Sequence, residues 1–209
     1  MLYDSLLRDY GANKPIFVSQ VAYGSMTKNN IRQKIMNYTA RGKLKKYDTG
    51  IYYIPSRSIF KSGSQLSQND VIESKYLFSQ NKRCGYMTGI NFANAIGITS
   101  QVPASTELVT NKTSKDYRET YLASEKIILR KPRVEVTEKN YKALQLLDLL
   151  KDIDLYSELS GAEAGKKIKS YMAKNTITFA SLKPYLSLYP DKLFRNMYAM
   201  GVLNGFSAQ

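Results

Sequence analysis

The sequence predicts a mainly α protein with minor β (α+β), divided into a small N-terminal domain and a larger, mostly helical second domain with a small sheet. Three observations predict it. Apolar residues recur at helical spacing and stop at glycines over the first 42 residues. A basic pair of strand-like runs follows directly, and amphipathic stripes of helical period fill most of the remainder. Residues 56–68 (SRSIFKSGSQLSQ) follow Pro55, are rich in serine and turn formers, and read as a linker. The domains are accordingly drawn at 1–62 and 63–209.

In the first domain a helix is expected over residues 2–10, with Leu2, Leu6 and Leu7 on one face and Gly11 as its stop. After Lys14-Pro15, a short second helix is expected to open at Val18 or Ser19 and end at Tyr23-Gly24. The turn Gly24-Ser25-Met26 leads to Thr27, a good N-cap for a third helix through about Thr39. Arg41-Gly42 supplies its C-cap. Two strand-like runs, residues 43–47 and 51–54, are joined by Asp48-Thr49-Gly50, which suits a hairpin with one left-handed position. Three helices and a hairpin in that order spell a winged helix-turn-helix.

For the second domain, helices are expected over residues 68–80, 91–96, 138–151, 161–173, 178–188 and 190–200, with strands at 107–110 and 126–136. Tyr141, Leu144, Leu147 and Leu150, with Leu146 alongside, form a core-facing stripe, and Ala180, Leu182, Tyr185 and Leu186 form another.

Charge is the loudest compositional signal. The 31 Lys+Arg against 17 Asp+Glu give a net +14, of which +8 falls within residues 1–62. The isoelectric point near 9.7 lies in the range of nucleic-acid binders. A solubility surface or attraction to an anionic membrane has the same sign, so distribution has to decide. Histidine and tryptophan are absent and cysteine occurs once, as Cys84. That excludes a histidine base, Cys/His metal sites and an internal disulfide. The lone cysteine fits a reducing cytoplasm. Asp4, Arg8 and Asp9 make the opening ten residues an amphipathic turn rather than a signal-peptide core. The longest near-apolar stretch, residues 197–203, falls far short of the roughly 20 residues a bilayer crossing needs, so no membrane partner is expected.

The third helix carries the functional argument. Ile31, Ile35, Tyr38 and Gly42 recur at spacings of four, three and four and should face the core. Opposite them lie Asn29, Gln33, Met36 and Ala40, with Arg32 and Lys28 on the flanks. Asparagine, glutamine and arginine make bidentate contacts to base edges, although any surface helix also carries a solvated polar face. Its position between a glycine turn and a basic hairpin favours DNA reading. On the hairpin, Lys45, Lys46 and Tyr47 suit phosphate contact. Alternation pairs Leu44 with Lys46 and Lys45 with Tyr47, so one lysine has solvent as its other reading. The run from Ile127 to Arg133, with Arg130, Lys131 and Arg133, is basic and β-prone. It reads as an additional DNA or partner contact, or as an edge strand defended by charge.

Catalytic signals are poor, and no catalytic residue, cofactor or metal ligand is expected. There is no P-loop, GxGxxG or HExxH. Gly161-Ala-Glu-Ala-Gly165 follows no strand and reads as a helix start. Asp148, Asp152 and Asp154 resemble surface aspartates at a helix end more than a Mg²⁺ pair, and a serine–lysine dyad has no spacing to test. Three classes of function stand: a DNA-binding autorepressor with a second activity, a plain winged-helix regulator whose second domain senses a ligand or dimerises, and a nucleic-acid-modifying accessory.

The segment KPIFVSQVAYGSMTKNNIRQKIMNYTARGKLKKYDTGIYYIP, residues 14–55, resembles the N-terminal winged helix of AbiEi-type antitoxins. GYMTGINFANAIGITSQVP, residues 85–103, and ILRKPRVEV, residues 128–136, are similar to that family's second domain. The resemblance implies an antitoxin of a bacterial type IV abortive-infection toxin–antitoxin system. It implies autorepression through double-stranded operator DNA carrying inverted repeats. It further implies action against a nucleotidyltransferase-like toxin, with no stable complex required. By position, Thr27, Lys28, Asn29, Arg32 and Gln33 would read DNA, and Lys45, Lys46 and Tyr47 would sit on the wing. No motif assigns neutralising residues in the second domain.

Overall fold

The computed structural model describes residues 1–56 and 64–203. The protein is mixed α/β and folds as two compact units, Met1–Lys75 and Tyr76–Gln209. No described helix is long and apolar enough to cross a membrane.

The first unit opens with α1 (Leu2–Tyr10), which buries Leu2 and Leu6 and leaves Leu7 exposed. Gly11, at φ +77°, stops the helix, and its N–H donates to the Leu7 carbonyl at 3.0 Å. The chain then forms β1 (Ile16–Phe17), a strand that local pattern did not announce. The helix expected from Val18 or Ser19 to Tyr23 is absent. Val18–Gln20 instead make one tight turn, with the Gln20 N–H on the Phe17 carbonyl at 2.9 Å. The reason is competition for the backbone: the Val18 N–H donates to Gly50 O at 3.0 Å, extending the pairing of β1. Too few residues remain before Gly24 to repay helix nucleation.

Helix α2 (Lys28–Ala40) starts as expected at Thr27, whose Oγ1 accepts from the Asn30 N–H at 3.3 Å. It ends at Gly42, φ +69°, with the Lys43 and Leu44 N–H groups both on the Tyr38 carbonyl. The hairpin follows as β2 (Lys45–Asp48) and β3 (Ile51–Tyr53), turned by Gly50 at φ +74° and bulged at Tyr47. The three strands pair antiparallel in the order β1-β3-β2. Leu2, Leu6, Ile16, Ile31, Ile35 and Leu44 meet in one core beneath them.

Of the linker expected over residues 56–68, residues 57–63, including Arg57 and Lys61, lie outside the described residues. Its described ends are tied to the first unit. Ser64 Oγ donates to Asn13 Oδ1 at 2.6 Å, Asn13 Nδ2 donates to Ser56 Oγ at 2.7 Å, and Tyr53 OH donates to Ser64 O at 3.2 Å. Helix α3 (Gln68–Ile72) follows, and its Asp70 meets Lys14 at 3.5 Å. The chain therefore returns to the first unit, and the units divide at Lys75, beyond residue 62.

The helix expected to run to residue 80 gives way to a π-helical turn, Glu73–Leu77, and a small hairpin. Its strands β4 (Phe78–Ser79) and β5 (Lys82–Arg83) are joined by Gln80 and Asn81, both at positive φ, a two-residue turn matched to strand twist. The main sheet of the second unit has the order β6-β7-β9-β8. Its strands are β6 (Gly85–Met87), β7 (Thr106–Thr110), β8 (Arg118–Leu122) and β9 (Glu125–Arg130), with β7 and β9 parallel and the other pairs antiparallel. The expected strand over 126–136 stops at Arg130, where Pro132 removes the next ladder donor. The edge-strand reading of this run is overturned. β9 is interior, and its Ile127, Ile128 and Leu129 are buried.

Against the sheet lie α4 (Gly89–Ala95) and α5 (Tyr141–Tyr156). Helix α5 buries Leu144, Leu146, Leu147, Leu149 and Leu150, more of its circumference than a single stripe. Helix α6 (Gly161–Lys174) opens with a reciprocal Ser160/Glu163 capping box. α7 (Phe179–Leu182), a 3₁₀ segment Lys183–Leu188 and α8 (Lys192–Ala199) complete the helical layer. Leu182 and Leu186 are buried as expected, but Ala180 is exposed because it lies in the first turn of α7 on its outer side.

Candidate nucleic-acid interface

In the first unit, α2 is held by its apolar stripe. Ile31 and Ile35 are each 1% exposed, and Tyr38 packs edge-on against Tyr3 with ring centroids 5.6 Å apart. That anchoring turns Lys28, Asn29, Arg32, Gln33 and Met36 to solvent. Thr27 spends its oxygen on the cap, so its first role is to start the helix. Among the described residues, Lys28, Arg32, Lys34 and Lys46 make no ion pair and no side-chain hydrogen bond. Asn29 and Gln33 likewise keep their amides unengaged, which is what a base-reading face requires.

On the hairpin, Lys46 is exposed, while Lys45 and Tyr47 are partly buried. Lys45 and Lys46 pair in register with Tyr53 and Tyr52. Leu44 precedes β2 and is buried, so it does not share a face with Lys46 as simple alternation suggested. Lys43 belongs elsewhere: its ammonium lies 5.2 Å from the centroid of the Tyr3 ring.

The three basic residues proposed for the second unit converge at the end of β9. Arg130 meets Glu107 at 3.4 Å and lies over the Tyr117 ring at 5.4 Å. Arg133 donates to the Leu188 carbonyl at 2.8 Å and lies over the Tyr189 ring at 4.7 Å. Lys131 is exposed. With Asp148, Lys151 and Asp152 they line a cleft of about 480 Å³. Two of the three are thus already anchored within the fold, which only Lys131 escapes.

The candidate carboxylates separate into different roles. Asp148 accepts from the Tyr86 hydroxyl at 2.6 Å, and crowding by protein atoms pushes its carboxyl above the ordinary aspartate value. Asp152 and Asp154 share the Lys192 ammonium, at 3.7 and 2.9 Å. Tyr86, on β6, was missed from sequence, since only the β6–α5 packing brings it to Asp148. Arg83, on β5, was missed because Tyr141, 58 residues on, comes to lie against its guanidinium only in the folded chain. No protein-family model matches the chain, and no curated protein matches it.

Proposed function

We propose that the first unit is a winged helix-turn-helix that binds operator DNA, and that the chain is a cytoplasmic autorepressor and antitoxin of the AbiEi type. The observation that carries the reading is the solvent face of α2. Asn29, Arg32 and Gln33 stand opposite the Ile31/Ile35 anchor, and Lys28 on α2 and Lys46 on the hairpin are exposed without an ion pair among the described residues. Arg32 and Gln33 enter the major groove, Asn29 lies beside them, and Lys45, Lys46 and Tyr47 hold phosphates. The tight turn at Val18–Gln20 stands where such a fold has its scaffold helix, and Ile16 of β1 shares a core with Ile31 and Ile35 of α2. The second unit carries the antitoxin activity against a nucleotidyltransferase-like toxin, without a stable complex.

Fluorescence anisotropy on the DNA upstream of the chain's own gene, against a scrambled duplex, tests the first half. Preference for the upstream duplex that survives physiological salt is the expected result; equal, salt-sensitive binding to both removes the repressor reading. Growth rescue on co-expression with a neighbouring nucleotidyltransferase-like gene tests the second.

A further inference from the structure

Arg83 occupies an unusual position in the second unit. Its guanidinium is clamped between two rings, 4.2 Å from the Phe78 centroid and 4.4 Å from that of Tyr141. The side chain is only 17% exposed. Yet among the described residues its guanidinium makes no hydrogen bond, and Nε is buried with no acceptor. Glu138 Oε2 forms a long ion pair with it, 3.8 Å from Nε, on a side chain that is 69% exposed. A buried donor without a partner is rare in folded proteins and calls for an explanation. Two aromatic faces fix the plane of the group while leaving its N–H edge unmatched.

Arg83 lines a cavity of about 790 Å³. Lys82, Lys112 and Lys139 also line it, against Glu135 and Glu138, so cations are in excess. Lys112 is fixed there, its ammonium donating to the Phe78 carbonyl beside the ring that carries Arg83. The amide side chains of Gln80 and Asn81, on the turn before Lys82, add uncharged donors and acceptors to the wall. A rigid planar fork of donors next to an ammonium matches the tetrahedral, doubly charged phosphate better than a singly charged carboxylate. The volume is in the range of small-molecule sites.

We propose that this cavity is a receptor for a phosphorylated small molecule of about nucleotide size, its phosphate seated on the Arg83 guanidinium with Lys112 alongside. The inference goes beyond DNA binding and does not depend on it, because every group it uses lies between Phe78 and Tyr141.

The full-length protein is titrated calorimetrically with adenosine triphosphate, inorganic triphosphate and adenosine. Both phosphate compounds should bind and adenosine should not; triphosphate as tight as the nucleotide makes phosphate the whole determinant, and a tighter nucleotide adds the base. Arg83→Lys, which keeps the charge but loses the fork, should weaken binding at least tenfold. The proposal is overturned by no binding of either phosphate compound, by adenosine binding as well as its triphosphate, or by an undiminished affinity in folded Arg83→Lys.

Discussion

The Tyr86 hydroxyl donates to Asp148 Oδ2 across 2.6 Å, joining the β6 strand to the middle of α5. Burial of the carboxyl raises its pKa, and the hydrogen bond from Tyr86 and the charges of Lys151 and Arg133 offset that only in part. The folded protein therefore holds the Asp148 proton over a window that opens near the ordinary aspartate value of 3.8 and extends upward. In that window the native state binds more protons than the unfolded chain, so this group's contribution to stability falls as pH rises. Asp148→Asn removes the titration and keeps an acceptor for Tyr86. The variant's stability relative to the unmodified protein should climb as pH rises above the ordinary aspartate value of 3.8, measured by urea unfolding at each pH. Lowered carboxylates such as Asp9 and Glu158 act in the opposite sense but cancel in the difference. A flat difference would mean Asp148 titrates normally.

Gly165 should tolerate no side chain. A Cβ there would lie 2.1 Å from the Met200 carbonyl oxygen, a backbone atom that cannot swing away. Alanine gains about 1 kcal/mol of helix propensity in α6, but overpacking of this kind costs about 1–3 kcal/mol, and so close an approach belongs at the upper end. Gly165→Ala should lower the urea midpoint with an unchanged m-value. A variant as stable as the original would show that α6 and the chain at Met200 can part freely.

Legibility in the sequence followed locality. α2 could be read because its cap, its stripe and its stop lie within sixteen residues, from Thr27 to Gly42. β1 could not, since two residues carry no periodicity and Ile16 becomes a strand only by pairing with Tyr52. Nor could the interior place of β9, which depends on its parallel partner β7 rather than on its own basic end. The exposed face of α2 was legible for the same reason as the helix. The Arg83 clamp was not, because only Phe78 is its hairpin neighbour, while Tyr141 reaches it from a distant segment.

Thr27 separates holding the helix from holding DNA. Its hydroxyl oxygen caps the Asn30 N–H, so Thr27→Ala should cost about 1 kcal/mol of stability, within the usual span for N-caps. Thr27→Asn, which can accept the same N–H, should restore most of it. If DNA affinity follows stability through both variants, Thr27 acts through the start of α2. Affinity lost in folded Thr27→Asn with stability retained would place the hydroxyl on the DNA itself.

Reading and holding should also separate within the proposed interface. Arg32 projects from α2 with no side-chain partner among the described residues, whereas Lys45 and Lys46 belong to a hairpin strand in register with Tyr53 and Tyr52. Arg32→Ala should cost about 1–3 kcal/mol on the operator and relax preference at one base position. Replacing Lys45 and Lys46 together should weaken operator and scrambled DNA alike. It should lower the magnitude of the log K against log salt slope by about one for each phosphate the hairpin no longer neutralises. A salt titration of both variants on both duplexes checks this. Arg32→Ala weakening both duplexes equally, while the hairpin change alters sequence preference, would exchange the two roles. If neither variant moves affinity, α2 is not a recognition helix, and its exposed polar face is simply the solvated side of a well-anchored helix.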